Sequence, residues 1–281
     1  MNPRYDASSA ALLNPGLSDT LFQFDRSYSH PQLAAECARL AYIRFEDGDA
    51  ERHRLASALS LAGLQLAQTF SVDNSHSHGF AAVLPSTLTI VAFRGTEVSQ
   101  ITDIATDLRA SLTPWSQGGR VHLGFAAAAG QLLPAFSSWW DNHATPQLIL
   151  AGHSLGAAIA TLFASAHRQA ELITIGSPRV GDQDFAAACA GQAICRYVDC
   201  CDLVARVPPE TPDFPLYVHL PGERYIDKDG GIHDAPGFDI AADQAAAREE
   251  YLLQRAWKID SVPLRDLADH APINYLTALF P

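Results

Sequence analysis

The apolar positions change period along the chain, and the changes mark out the elements. From Pro31 the residues Leu33, Ala34, Cys37, Leu40 and Ala41 recur at helical spacing, and residues 50–61 repeat the pattern, so two helices are predicted ahead of any sheet. Residues 66–72, 80–84 and 88–93 then read as strands, with Pro85 marking the break between the last two. Beyond them the pattern alternates. A helix is predicted over 125–140, a strand over 147–151, a helix over 155–167, a strand over 172–175, a helix near Phe185 and a strand over 193–197. Strands alternating with helices argue for an α/β fold, a mostly parallel sheet covered on both faces, whose chemistry belongs at the carboxyl ends of its strands. Residues 217–243, rich in Gly, Pro and Asp, are expected to form hairpin and loop, followed by a helix over 245–259.

Composition narrows the class. At 281 residues, 48% hydrophobic and 18% charged, the chain suits one domain with insertions, and it lies far from a disordered profile. A net charge of −12 without a Lys or Arg cluster argues against nucleic acid as a partner, and any contact with a lipid surface would have to come from local apolar area. The first twenty residues lack the apolar core of a signal peptide, and no apolar run approaches the ~20 residues of a spanning helix. The five cysteines, odd in number and without metal-type spacing, favour reduced thiols. The expectation is a cytoplasmic protein, or one exported without a cleavable N-terminal signal.

The chemistry begins at Gly152-His153-Ser154-Leu155-Gly156, which follows the apolar run Leu148-Ile149-Leu150-Ala151 and leads into an alanine-rich helix. G-x-S-x-G alone arises by chance in roughly one chain in ten at ~7% Gly and Ser. Its setting between strand and helix is the stronger signal, because a nucleophile elbow is a strained turn in which side chains flanking the serine would clash. A serine hydroxyl needs a base, and the base needs an acid that fixes its tautomer, in the order Ser, acid, His. Among eleven histidines His270, beside the predicted last helix, is best placed. Both Asp199 and Asp202 follow the strand ending at Tyr197, and position alone leaves the choice of acid open.

These residues, taken with others, resemble the class 3 lipases, a family of fungal triacylglycerol lipases with bacterial and plant members. Ala92-Phe93-Arg94-Gly95-Thr96 is similar to the family's F-R-G-T element, and Val121-His122-Leu123-Gly124-Phe125 to its V-H-x-G-F element. Gly176-Ser177-Pro178-Arg179-Val180-Gly181, then Asp202-Leu203-Val204-Ala205-Arg206-Val207-Pro208-Pro209, then Asp269-His270 with Tyr275, resemble later motifs in the family's order. The resemblance implies an α/β-hydrolase with Asp202 as the acid, and Thr96 and the backbone N–H of Leu155 as the oxyanion hole. Asp107 is implied either to hold the Thr96 hydroxyl or to be a surface carboxylate. A lid is implied over 97–110, where Val98, Ile101, Ile104, Ala105 and Leu108 lie at helical spacing; a plain surface helix is the alternative. The stretch 222–263 is longer than in compact fungal members. Its apolar residues Leu252, Leu253, Ala256 and Trp257 would form either a second cap or ordinary core.

The expected activity is hydrolysis of a lipid ester, acylglycerol foremost, with transient contact at a lipid–water interface and without a cofactor. A phospholipid, galactolipid or short soluble ester is the nearest alternative, and a noncatalytic hydrolase-like binding protein the alternative of another class. Three other features read as structural. His122 is expected to hydrogen-bond near the sheet, His76 and His78 to lie in a solvated hairpin loop, and Asp227-Lys228-Asp229-Gly230-Gly231 to form a turn rather than a calcium loop.

Overall fold

The computed structural model describes residues 4–72, 77–95, 111–209, 217–234 and 236–281. Two helices, α1 (Ser9–Leu13) and α2 (His30–Leu40), come first. Ser29 starts α2 with a capping box to Gln32, and Pro31 sits in the first turn, where its missing N–H costs nothing. Then come α3 (Asp49–Ser60) and the strands β1 (Gln65–Ser71), β2 (His78–Leu84) and β3 (Leu88–Phe93). A small hairpin of β4 (Leu112–Pro114) and β5 (Arg120–His122), too short to register as a pattern, leads into α4 (Leu123–His143). The alternating part is β6 (Gln147–His153), α5 (Leu155–Ala166), β7 (Glu171–Ile175), α6 (Gln183–Ala188) and β8 (Ile194–Asp199). The chain closes with β9 (Glu223–Ile226), β10 (Ile232–Asp234), α7 (Ile240–Gln254), α8 (Arg265–Ala268) and α9 (Pro272–Leu279).

Among the described residues eight strands form the main sheet in the order β1-β2-β3-β6-β7-β8-β9-β10, parallel from β3 to β9 and antiparallel at both edges. With helices on both faces and this central parallel run, it is the expected α/β-hydrolase fold. The strand period of two sorts side chains between two cores. Ile90, Ala92, Ile149 and Ala151 face α2, α3 and α9, whereas Val91, Phe93, Leu148 and Leu150 face α4, α5 and α6. Burial on both faces is why β3 and β6 read as unbroken apolar runs. It also requires α5, crossing the sheet beneath the site, to be buried nearly all round, from Gly156 to Ser165.

The region 222–263 holds the expected hairpin and a helix. Its first part is sheet, since β9 pairs in parallel with β8 and turns back through β10. The turn between them is closed by Asp227, whose Oδ1 accepts from the N–H of Asp229 and of Gly231 while Oδ2 takes His233 Nε2 at 2.6 Å. Helix α7 begins five residues earlier than its pattern suggests because Asp239 caps it, accepting from the N–H of Ala242. It packs through Ala247 and Tyr251 and leaves Leu253 and Trp257 each 71% exposed, so this end of the apolar stripe is not core. Among the described residues no helix is long and apolar enough to cross a membrane.

Candidate functional site

Parallel pairing brings the carboxyl ends of β3, β6, β7 and β8 together. Phe93 lies opposite Gly152, His153 opposite Ile175, and Ile175 opposite Tyr197, so the loops after these strands share one edge. Ser154 stands on the sharpest of them. It joins β6 directly to α5 at φ 57°, ψ −129°, a conformation that costs a non-glycine residue about 1–3 kcal/mol and that surrounding packing has to impose. The two flanking glycines show how tight the crossing is: a Cβ on Gly152 would fall 2.2 Å from the Gly156 carbonyl oxygen, and one on Gly156 2.1 Å from that of Phe93.

The candidate acid and base, Asp202 and His270, come from the loops after β8 and after α8. His270 Nδ1 lies 2.8 Å from Asp202 Oδ2 and 3.0 Å from Oδ1, with both side chains buried. A carboxylate only accepts, so Nδ1 carries a proton and Nε2 is the ring nitrogen left to face the serine's proton chemistry. Asp202 also accepts from the Val204 N–H at 2.8 Å and from the Tyr275 hydroxyl. Burial alone would raise its carboxyl, but the pairing with His270 and the Tyr275 bond bring it below the ordinary carboxylate range. Asp199 stands in the opposite condition. Burial, followed by the neighbouring Asp269 carboxyl, pushes it well above that range. A turn closed by the Asp202 N–H on the Asp199 carbonyl separates the two acids and delivers Asp202 to the histidine.

Ser154 Oγ and His270 Nε2 are both buried and, among the described residues, neither has a hydrogen-bond partner. Leu155 opens α5, where helix geometry leaves the first N–H groups without an intrahelical acceptor. Thr96, Asp107 and the segment 97–110 lie outside the described residues, as does His76. The chain approaching Thr96 is described as far as Gly95, which abuts the elbow: a Cβ there would stand 3.1 Å from Ser154 Cβ and 2.7 Å from the His153 carbonyl oxygen. His122 has a structural place, capping α4 by accepting from the Phe125 N–H.

Three residues near the triad carry no local sequence signal for their contacts. Tyr275 donates to Asp202 across 73 residues, and His153 and Tyr42 bond to each other across 111. Cys200 and Cys201 are thiols with Sγ atoms 3.7 Å apart. With Asp269 they form a group of metal-ligating types, but the Asp269 carboxylate is already taken by Arg265 Nε, the Tyr5 hydroxyl and the Cys201 N–H. Its work is to tie the neighbour of Asp202 to the neighbour of His270.

Residues 90–211 match the family model for Lipase (class 3). A lipase of Rhizopus niveus is 32% identical over 164 residues, which cover 52% of this chain and 41% of the relative. Triacylglycerol lipase OBL1 of Arabidopsis thaliana is 27% identical over 188 residues, 47% of this chain and 36% of the relative. The chain thus spans about two fifths of the length of the curated relatives it matches. The solved lipase from Rhizopus microsporus var. chinensis superposes with a TM-score of 0.54 at 26% identity, covering 69% of this chain and 71% of that one. Lipase II from Rhizopus niveus gives 0.55 at 24%, covering 69% and 77%. Over residues 90–211 in sequence, and in the fold that carries them, this chain is similar to the class 3 lipases.

Proposed function

We propose that the protein hydrolyses carboxylic esters of lipids, acylglycerols foremost, through an acyl-enzyme on Ser154. The observation that carries this reading is the buried, charge-assisted pair of His270 and Asp202 at the strand ends beside a serine held at positive φ. Asp202, ionised and held by three donors, orients His270 and supports the imidazolium that forms when Nε2 takes the Ser154 proton. Ser154 Oγ attacks the ester carbonyl carbon, and the negative charge that develops on its oxygen meets the Leu155 N–H, with residue 96 as second donor. His270 returns the proton to the leaving alcohol. Water, deprotonated by the same Nε2, then releases the fatty acid and restores the serine. Each step uses groups of the chain itself, water and the substrate. The match of residues 90–211 to the class 3 lipase model and the relatives' description as lipases support the lipid substrate.

The test is release of p-nitrophenol from butyrate and palmitate esters by wild type and Ser154→Ala, above and below the substrates' solubility limits. Wild type is expected to turn over both, with the palmitate rate rising once an interface forms, and Ser154→Ala to fall by ~10⁶-fold, to background. Equal rates from the two proteins would remove Ser154 as nucleophile. Butyrate turnover without long-chain activity would leave the triad in place and make the substrate a soluble ester.

A further inference from the structure

The mechanism leaves one buried histidine beside the base without a role. His153, 2% exposed, precedes the serine, and its ring centroid stands 4.4 Å from that of His270 with the planes 34° apart. A base that must take up a proton is poorly served by a neighbour able to charge at that distance, since two like charges in a buried site oppose each other strongly. The hydrogen bonds around His153 settle which form it holds.

Nε2 lies 2.8 Å from the backbone carbonyl oxygen of His270. A carbonyl only accepts, so Nε2 carries a proton. Nδ1 lies 2.7 Å from the Tyr42 hydroxyl. In the neutral ring Nδ1 holds the lone pair and accepts the hydroxyl proton, so the tautomer is fixed from both sides. Burial, and after it the closeness of His270, push His153 well below the usual imidazole range, in agreement with that assignment. Gly95 has to be glycine for the chain of bonds to form, because a Cβ there would fall 2.2 Å from the Tyr42 hydroxyl oxygen.

Resting on the serine-hydrolase reading above, we infer that Tyr42 and His153 are positioning residues for the base: the pair Tyr42 and His153, packed against Gly95, grips the backbone carbonyl of His270, sets where its ring stands relative to Ser154, and keeps the adjacent ring uncharged. Asp202 holds the same histidine from its Nδ1 side, so ring orientation and backbone placement come from separate partners. The Tyr42 hydroxyl also meets the chain after β3 one residue before Thr96. One O–H thereby links the approach to the proposed oxyanion donor with the segment that carries the base.

The experiment compares Tyr42→Phe, His153→Gln and His153→Leu in the full chain, measuring kcat and KM on p-nitrophenyl butyrate and the folded fraction by near-ultraviolet circular dichroism. Glutamine keeps a neutral N–H within reach of the His270 carbonyl; leucine fills the space without one. Misplacement of a catalytic group by about 1 Å can cost about 100-fold, so His153→Leu is expected to lose about 100-fold in kcat and Tyr42→Phe about tenfold, with KM within about twofold of wild type. His153→Gln is expected to keep kcat within about fivefold. Losses equal for glutamine and leucine, or in step with the folded fraction, overturn the inference. If His153→Leu does not fold, Tyr42→Phe decides alone, and a kcat within twofold of wild type overturns it. Hydrolysis that survives Ser154→Ala is a different failure, of the serine-hydrolase reading itself, and takes this inference with it.

Discussion

Replacing Tyr275 by Phe removes one oxygen from a fully buried position and leaves the ring's packing unchanged, so its cost can be worked from hydrogen bonds alone. The hydroxyl donates to the Asp202 carboxylate, and a bond to a charged group contributes about 1.5–3 kcal/mol. A loss of about 2 kcal/mol in unfolding free energy at pH 7 is therefore expected, and it depends on pH. Asp202 is held below its ordinary value in the fold, so it stabilises the native state above the unfolded value near pH ~3.9, and that stability is lost as pH falls through the lower folded value. Without the Tyr275 donor, burial is less opposed and the folded value rises. Tyr275→Phe should therefore begin to lose stability at a higher pH than wild type, and the gap between them should narrow once both carboxyls are protonated. Urea unfolding at several pH values between 7 and 3 measures this directly. A loss below about 1 kcal/mol at pH 7, or one constant across the range, would refute the account of Asp202 as an ionised carboxylate held by Tyr275.

Two further outcomes follow from packing and charge. Gly156→Ala places a Cβ 2.1 Å from the Phe93 carbonyl oxygen, where only backbone could yield, and should cost about 3 kcal/mol or more in thermal unfolding. Gly130→Ala, in the exposed middle of α4 with nothing within 4 Å, should instead stabilise by about 0.5–1 kcal/mol; equal effects at the two sites would defeat the argument. Arg39→Met strands the buried Glu36 carboxylate and should cost about 3–5 kcal/mol, part of which Arg39→Met with Glu36→Leu recovers. A double variant no more stable than the single one in urea would count against that account.

Legibility in the sequence tracked burial on two faces. Residues 88–93 and the run after Gln147 could be read as strands because no polar face interrupts them, and the elbow could be read because its glycines are demanded by a local crossing. Helix α7 was misframed because its apolar residues past Tyr251 face solvent, so the pattern points where no core exists. The choice between Asp199 and Asp202 could not be read from position, since it rests on a turn that sets one buried carboxyl against His270 and leaves the other beside the Asp269 carboxyl. Tyr42, His153 and Tyr275 hold the site through bonds spanning 73 to 117 residues, and no periodicity encodes such contacts.

The tie between the two loops of the acid and the base has a consequence for how this region can change. Cys201 N–H bonds to Asp269 Oδ2 at 2.9 Å, and Leu203 N–H to the Asp266 carbonyl at 3.0 Å. Asp202 and His270, 68 positions apart, thus stand at the closed neck of a long excursion, and α7 within it also grips the neck, Gln244 donating to the Cys200 carbonyl and Arg248 to the Asp266 carboxylate. Closing a flexible excursion costs only about 0.6 kcal/mol for each doubling of its length. The turns on either side of α7 can therefore be lengthened at small energetic cost, whereas a change in α7 itself loosens the neck.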